Sequence, residues 1–425
     1  MRKLLLAFLL VPALASAGGY SIPNIVPRDL AMGDGLVADQ TTAGAVYRNP
    51  AALSRLSGLD LTLNGSILGN GSTWTNTTNL APSPVSTDFK AAPPASFFVS
   101  WSGKISGHGY GVGAGLNVPG GGNVFWPDNW AGRYTIISVD RKVYGLYLSA
   151  GFEIIPQVRV GGGFVYYYAS EKLTVDKALP GGTDGLVTVS DSGGQPSWDA
   201  SVEIQPLLDL PLRIGIDYKQ QAFMKMKGPA NFAFPPPFAA AYPNQDVTHT
   251  LPYPSTFSLG VAWRPIPEVD ITAGYTSEYY SVYVSDTFVG QTLDPSTGQT
   301  LELSVWRKYG NASIYRLGVA WQVLKTLELR AGGLYDQSGV NPAYFNPSLP
   351  DAKSWAGAVG AGWDVMKNLS VNATFFNAWF NTLNSVPAAS TSTLDNASSF
   401  PGQFKSWAWI ASLGVNYRWD PQTKN

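Results

Sequence analysis

From residue 59 onwards, apolar and polar residues alternate along short stretches of the chain. In the last stretch, 405–419, the odd positions include Trp407, Trp409, Leu413 and Trp419, whereas the even positions are mostly small or polar. A period of two is typical of a β-strand with two different faces. The apolar face carries aromatic residues near both ends, which is typical of strands that face lipid between two aromatic girdles. The pattern therefore predicts a membrane-spanning β-strand.

Charged residues in the other stretches are found on the face opposite the large apolar side chains. In 311–323, for example, Leu317, Val319 and Trp321 share one face and Arg316 lies on the other. The same division is found in 143–154, 157–168 and 210–221. A soluble sheet would turn its charged face to bulk water, but in a membrane barrel the charges face the lumen. Lipid exposure of an Arg or Lys near the bilayer midplane would cost about 2–4 kcal/mol.

The connections between these stretches are alternately short and long. Short joints lie at 155–157, 265–268 and 324–326, and long ones rich in Gly, Pro, Ser and Asn lie at 170–197, 228–248, 286–310 and 382–404. About fourteen strands are predicted, near 59–68, 94–102, 109–118, 139–154, 157–169, 197–205, 210–227, 253–264, 268–285, 301–323, 325–337, 353–364, 367–381 and 405–419. We therefore expect an all-β, antiparallel transmembrane barrel over 59–419, with short periplasmic turns, long outer loops and a periplasmic tail at 420–425.

The N-terminal residues do not alternate and belong to two other segments. Met1-Arg2-Lys3, an apolar stretch and Ala15-Ser16-Ala17 predict a secretory signal peptide over 1–17. Residues 18–58 are read as short helical or irregular pieces. Because a barrel of fourteen strands is too wide for its own side chains to fill, we expect 18–58 to form a plug, or hatch, inside the lumen. The alternative is a periplasmic tail.

Composition excludes several classes of function. Charged residues make up only 13% of the chain, the formal net charge is −1, and cysteine is absent. These values exclude a disulfide scaffold, thiolate metal sites and a basic surface for nucleic acid. The two histidines, His108 and His249, are far apart in the sequence and are expected in turns or loops. With no Gly-x-Ser-x-Gly motif either, neither an enzyme, a metal site nor a cofactor is predicted.

Several motifs, taken in their order along the chain, resemble the FadL-type family of outer-membrane transporters for long-chain fatty acids and other hydrophobic compounds. The resemblance extends over nearly the whole chain. The motifs are Ala31-Met32-Gly33-Asp34-Gly35, Tyr47-Arg48-Asn49-Pro50-Ala51, Gly115-Leu116-Asn117-Val118-Pro119-Gly120, Trp130-Ala131-Gly132-Arg133-Tyr134, Pro254-Ser255-Thr256-Phe257, Tyr315-Arg316-Leu317-Gly318, Leu334-Tyr335-Asp336-Gln337-Ser338 and Pro347-Ser348-Leu349-Pro350-Asp351.

The resemblance implies a fourteen-stranded barrel with an N-terminal hatch that carries Asn49, Pro50 and Ala51. It also implies that substrate captured by outer loops passes to a lumenal pocket, the N-terminal segment rearranges, and substrate leaves sideways at a kink in the third strand. Tyr20 is then a candidate for insertion into the pocket, and Pro119, Gly120, Gly121 and Gly122 are candidates for the lateral gate. Proline removes a ladder donor and glycine weakens pairing. The alternative is an ordinary loop start beyond the strand end.

Two further sets of residues are candidates for substrate binding. Aromatic residues in two long loops could form an apolar capture groove, or could instead pack the loops onto the barrel rim. These residues are Trp126, Trp130, Phe232, Phe234, Phe238 and Tyr242. For a carboxylate headgroup, Arg316 and Arg330 project into the lumen by parity, but either could pair there with an acidic residue. The chain has Ser170 where fatty-acid members of the family carry an Arg, which weakens the headgroup prediction.

These residues together predict a transporter in the Gram-negative outer membrane that takes up hydrophobic small molecules, long-chain fatty acids first. The alternatives are a channel for aromatic hydrocarbons or other non-acid substrates, and a general diffusion porin. The expected surroundings are outer-membrane lipid and lipopolysaccharide, with the barrel-assembly machinery as a partner during insertion.

Overall fold

A single antiparallel sheet closes on itself into a barrel in the computed structural model, which describes residues 19–77, 83–236, 238–293, 298, 300–385 and 400–420. The predicted signal peptide and residues 421–425 of the predicted tail lie outside these residues. The first strand pairs with the last from Leu59↔Trp419 to Thr75↔Gln403, which completes the cylinder. The wall has 14 strands, as predicted, with additional short strands.

The strands are β1 (Gly58–Thr75), β2 (Val85–Ser86), β3 (Ala95–Ile105), β4 (His108–Phe125), β5 (Ser138–Ile155), β6 (Val158–Leu179), β7 (Thr183–Ile204), β8 (Leu212–Lys219), β9 (Ala222–Ala233), β10 (Gln245–Tyr253), β11 (Thr256–Ile266), β12 (Val269–Glu278), β13 (Ser285–Leu293), β14 (Thr300–Trp306), β15 (Ala312–Leu324), β16 (Leu327–Asp336), β17 (Ser354–Met366), β18 (Leu369–Phe380), β19 (Leu383–Ser385) and β20 (Gly402–Trp419). Two short α-helices, α1 (Pro27–Ala31) and α2 (Ala45–Arg48), are followed by the 3₁₀-helix Pro50–Arg55. Other 3₁₀ turns lie at Phe238–Ala240, Tyr280–Val282 and Pro342–Tyr344. None of the helices described here is long and apolar enough to cross a membrane.

The outer face of the wall is apolar, as the alternation predicted. In β20, Leu413 is 65% exposed and its neighbour Ser412 only 2%. A ring of exposed tryptophans lies near the short turns, and it consists of Trp101, Trp263, Trp321, Trp363 and Trp419. Aromatic residues near the ends of strands mark the membrane interface, so this ring defines the periplasmic border of the lipid-facing band.

Three of the predicted long loops contain paired strand segments in the structure, which corrects the sequence interpretation. The segment predicted as a loop at 170–197 is the upper half of the β6–β7 hairpin, whose turn is only Pro180–Gly182. Likewise, 228–248 contains the ends of β9 and β10, and 286–310 contains most of β13 and β14. Above the membrane the outward side chains are polar. The alternation of apolar and polar residues therefore stops there, although the strands remain paired.

The segment before β1 lies inside the barrel and contacts strands on different sides of the wall. Thr374 of β18 donates a hydrogen bond to the carbonyl oxygen of Pro27 at 2.6 Å, and Ser149 of β5 donates one to that of Val46 at 2.9 Å. Most side chains of this segment are buried. It therefore occupies much of the lumen, while its predicted role as a movable hatch remains a prediction.

Candidate functional site: an apolar cavity at an opening in the wall

Tyr20 lies in the centre of the lumen, enclosed by other aromatic rings. Its ring centroid is 5.6–6.0 Å from those of Tyr253, Tyr280 and Tyr283. Its hydroxyl donates to the carbonyl oxygen of Pro252, and its amide donates to the hydroxyl of Tyr280 at 3.2 Å. The Arg141 guanidinium lies 5.1 Å from the centre of its ring. Tyr20 thus occupies an interior site, as expected for a side chain inserted into a lumenal pocket.

The chain next to Tyr20 pairs with β4 at the predicted kink. The amide of Ile22 donates to the carbonyl oxygen of Pro119 at 3.0 Å, and the amide of Gly121 donates to that of Tyr20 at 2.8 Å. Gly121 has a φ of 150°, a conformation that favours glycine. Pro119–Gly122 therefore lie inside a strand that continues to Phe125, and they are not the start of an ordinary loop.

The same four residues interrupt the wall on both sides of β4. The β4–β5 register shifts between Asn117 and Gly120, which is the geometry of a β-bulge. On the other side, the β3–β4 ladder ends at Phe97↔Leu116, because β3 begins only at Ala95 and Pro93-Pro94 precede it. Among the residues that the structure describes, β4 has no regular partner strand on that side above this point. The wall is thus interrupted beside Gly120–Gly122.

An apolar cavity of about 460 Å³ extends through this interruption. Its inner lining includes Tyr20 and Ile22, and its outer lining includes Leu116 and Trp407, whose side chains are 46% and 39% exposed on the lipid-facing surface. The cavity therefore connects the interior around Tyr20 with the outer surface of the barrel. Its volume lies within the range of about 300–1,000 Å³ that is usual for small-molecule sites.

Asn49, Pro50 and Ala51 lie in the N-terminal segment, and Pro50 and Ala51 pack against β5, β6 and β7, the strands that follow β4 in the wall. The Asn49 side chain donates to the carbonyl oxygen of Val37 at 2.7 Å, and the Ala51 amide donates to Ser201 Oγ at 2.9 Å. The Pro50–Ala51 backbone lies so close to β6 that a methyl group at Gly161 would overlap it. These residues fix the N-terminal segment to β6 and β7.

The six predicted loop aromatics come together in one apolar cluster above the membrane band. Trp126 and Trp130 stack with their ring centroids 4.3 Å apart, and Phe234 lies 5.3 Å from Tyr242. The two tryptophans and Phe234 are buried, whereas Phe232, Phe238 and Tyr242 are partly buried. They pack on one another, and none of the six lines the apolar cavity. Trp126 lines a separate cavity of about 300 Å³ together with Lys90 and Asp140, and the capture groove stays a prediction.

Arg316 and Arg330 project into the lumen, as parity predicted, but both have partners away from the cavity. Arg316 pairs with Asp34 at 3.3 Å and donates to Thr276 at 2.7 Å. Arg330 forms an ion pair with Glu328 and donates to Asn372 at 2.8 Å. Neither lines the apolar cavity.

Sequence reasoning missed a charged cluster that lies between the tyrosines around Tyr20 and the aromatic cluster above. We call it the charged cluster; it consists of Arg141, Glu171, Asp191, His249, Asp286 and Arg307. Arg141 forms an ion pair with Glu171, and Arg307 pairs with Asp286 at 2.8 Å. His249, which was expected in a turn or loop, is buried in β10. The alternation along each strand predicts that a single residue of this cluster lies on the inner face. It cannot predict that the residues contact one another, because this depends on the register of strands that are far apart in sequence.

The chain matches a family described as "Outer membrane protein transport protein (OMPP1/FadL/TodX)" over residues 8–419. A FadL homologue from Pseudomonas aeruginosa is 18% identical, with a TM-score of 0.80 and coverage of 94% of this chain and 99% of that one. The toluene transporter TodX from Pseudomonas putida is 12% identical, with a TM-score of 0.72 and coverage of 95% and 100%. For the toluene transporter TbuX from Ralstonia pickettii the values are 14%, 0.67, 93% and 99%. No curated protein sequence matches the chain.

Proposed function

This chain belongs to the OMPP1/FadL/TodX family of outer-membrane transport proteins, and from that membership we propose that it takes up long-chain fatty acids through the opening in its own wall. The location in the outer membrane, predicted from the alternation, is confirmed, and at the level of the family the protein is a transporter of hydrophobic compounds. The substrate and the route are our proposal.

The apolar cavity is the observation that carries the proposal. One of its ends lies at Tyr20 in the lumen and the other beside lipid-facing Trp407. An apolar molecule that follows it avoids the polar periplasmic half of the lumen. It would leave into the hydrocarbon layer, where burial is favourable by about 0.8 kcal/mol for each CH₂ group.

The route begins above the membrane. Substrate is captured at the cluster of loop aromatics, where the packing of Trp126, Trp130 and Phe234 loosens. It then moves past the charged cluster to the site that Tyr20 occupies. Tyr20 and the segment paired to Pro119–Gly121 shift, since one chain segment both fills the pocket and completes the wall. Substrate leaves beside Gly120–Gly122. The proposal contains no catalytic step.

Two cationic side chains at the cavity could bind the carboxylate of a fatty acid. Both are already paired with acidic residues, and this pairing favours a second candidate substrate. Arg141 and Lys142 both line the cavity. Arg141 is paired with Glu171, and Lys142 lies 2.6 Å from Asp140. A fatty acid would have to compete for these cations, whereas an aromatic hydrocarbon would not. Uptake of aromatic hydrocarbons is therefore the second candidate.

The test narrows the opening with one substitution. Gly122 lines the cavity, and a Cβ added there would meet no atom within 4 Å, so Gly122→Phe introduces a bulky ring at the opening without a clash at its Cβ. Uptake of radiolabelled oleate and of radiolabelled toluene is measured in cells that lack their own long-chain fatty acid transporter. We expect the Gly122→Phe variant to lose at least about 80% of oleate uptake, as blockage of a single path requires.

Gly65→Phe is the matched control, because its Cβ also meets nothing within 4 Å and it does not line the cavity. Undiminished oleate uptake by the Gly122→Phe variant would overturn the lateral route. If wild-type cells took up toluene and not oleate, the second candidate would replace the first.

A further inference from the structure

Three buried side chains from three different strands of the charged cluster meet at one point in the lumen. Glu171 of β6, Asp191 of β7 and His249 of β10 each offer one possible ligand atom, and these atoms lie within 4.8 Å of one another. The three residues are only 3–4% exposed. Carboxylate oxygens and an imidazole nitrogen at such distances can approach a single cation with small side-chain movements, because metal–ligand bonds of about 2.0–2.2 Å place ligand atoms about 3–3.5 Å apart.

Two of the carboxylate oxygens lack a protein hydrogen bond. Among the described residues, Glu171 Oε1 and Asp191 Oδ1 have no donor, although both atoms are buried. A buried polar atom without a partner costs about 1–3 kcal/mol, and more when the group is charged. The other oxygen of Asp191 lies 3.2 Å from His249 Nδ1. The unsatisfied oxygens therefore belong to the same two carboxylates that meet the imidazole.

The far side of the imidazole faces a carboxylate, although Nε2 makes no hydrogen bond to the residues described here. His249 Nε2 lies 3.4 Å from Asp286 Oδ1. Asp286 is fixed in turn by Arg307, at 2.8 Å, and by the hydroxyl of Tyr283, at 2.7 Å. A carboxylate on the second ring nitrogen orients a metal-binding imidazole and raises its basicity. Asp191 and Asp286 thus lie on opposite sides of one ring.

We propose that Glu171, Asp191 and His249 form a binding site for a divalent transition-metal cation of the zinc type. His249 Nδ1 and one oxygen from each carboxylate are its ligands, and Asp286 orients the imidazole from behind. One imidazole with two carboxylates suits Zn²⁺ better than Ca²⁺, which prefers six to eight oxygen ligands. A metal-binding imidazole is neutral, and with it the three carboxylates and two guanidiniums of the cluster carry a net charge of −1.

The site has a structural consequence that does not depend on which molecule is transported. A bound cation would tie β6, β7 and β10 together directly above Tyr20. Three protein ligands leave a tetrahedral cation one open position. The cation would therefore fix the part of the lumen between the aromatic cluster and Tyr20.

The test is titration of the purified full-length barrel with ZnCl₂. The protein is prepared without a histidine tag, stripped with EDTA and followed by calorimetry, with metal content measured by mass spectrometry after gel filtration. We expect one Zn²⁺ per chain. His249→Ala and the near-isosteric Asp191→Asn should each weaken binding at least about 100-fold, and Asp286→Asn about 10-fold or more, as outer ligands do.

The chain has only two histidines, so His108→Ala is the matched control and should bind Zn²⁺ like the wild type. Heat-modifiable migration on gels shows that each variant is folded. Absence of a stoichiometric Zn²⁺ signal up to 1 mM, or equal binding by the His249→Ala variant, would overturn the site. Binding of Ca²⁺ as tight as that of Zn²⁺ would overturn its assignment to a transition metal.

Discussion

Single polar side chains hold the start of the N-terminal segment in place. Asp351, in the loop between β16 and β17, accepts hydrogen bonds from the Gly19 amide and the Ser338 hydroxyl, both at 2.8 Å. Burial raises the pKa of its carboxyl group to about 7, although both hydrogen bonds act in the opposite direction. Asp351 is therefore partly protonated near neutral pH, and this anchor is sensitive to pH.

This pKa predicts how stability changes with pH. Because the pKa is raised from an unfolded value of about 3.9, the folded state binds the proton more tightly. The stability that the neutral carboxyl contributes is fully present below about pH 4 and is lost as the pH rises through about 7. We expect Asp351→Asn, which stays neutral, to be more stable than wild type at pH 8 by about 1–3 kcal/mol, with no such gain at pH 4.

Urea unfolding in detergent micelles at the two pH values measures this difference. Asp128→Asn, in an exposed loop, controls for the removal of a carboxylate. Equal pH dependence in wild type and Asp351→Asn would show that Asp351 is not the group that titrates.

At the scale of strands and segments, the sequence predicts the faces of single strands, because these follow from a local repeat. It does not predict contacts between distant strands, because these depend on the register of pairing. Alternation identified the lipid faces of β15 and β20, because a fixed period relates each side chain to its neighbours. The hairpin above Tyr168 was missed, since its outer face carries residues such as Lys172 and Thr174 and no longer differs from a loop in composition. The meeting of Glu171, Asp191 and His249 could not be predicted, because three strands must pair in the correct register first.

The contact between the N-terminal segment and the wall gives a prediction at this scale. A methyl group at Gly161 would overlap the backbone of Pro50 and Ala51, while one at Gly122 would meet no atom within 4 Å. We expect Gly161→Ala to lower the free energy of unfolding by about 1–3 kcal/mol, as overpacking does. It should also make the segment before β1 accessible to protease in intact barrels. Gly122→Ala is the control, and equal protease resistance in the two variants would contradict the tight packing of this segment.

At the scale of the whole molecule, the lumen is occupied and the main cavity opens sideways. Residues of the N-terminal segment contact β5, β7, β18 and β20, so they extend across the interior from one side of the wall to the other. A general diffusion porin needs a continuous aqueous channel along its axis. The occupied lumen therefore favours selective transport of apolar molecules.

Liposome swelling checks this conclusion. Vesicles that contain the purified barrel should swell in arabinose no faster than empty vesicles, because hydrated sugars have no path along the axis. A variant that lacks residues 20–57 and still migrates as a folded barrel serves as the positive control. Rapid swelling with the intact protein would support the porin and contradict the proposed route.

The β6–β7 hairpin determines how far the molecule reaches from the cell. Its strands have 22 residues each, and at about 3.3 Å per residue and a tilt of about 40° they rise about 55 Å along the axis. The apolar band of such barrels is only about 25 Å tall. Roughly 30 Å of sheet thus stands clear of the bilayer. We therefore expect the hairpin tip to be within reach of antibodies that are added to intact cells.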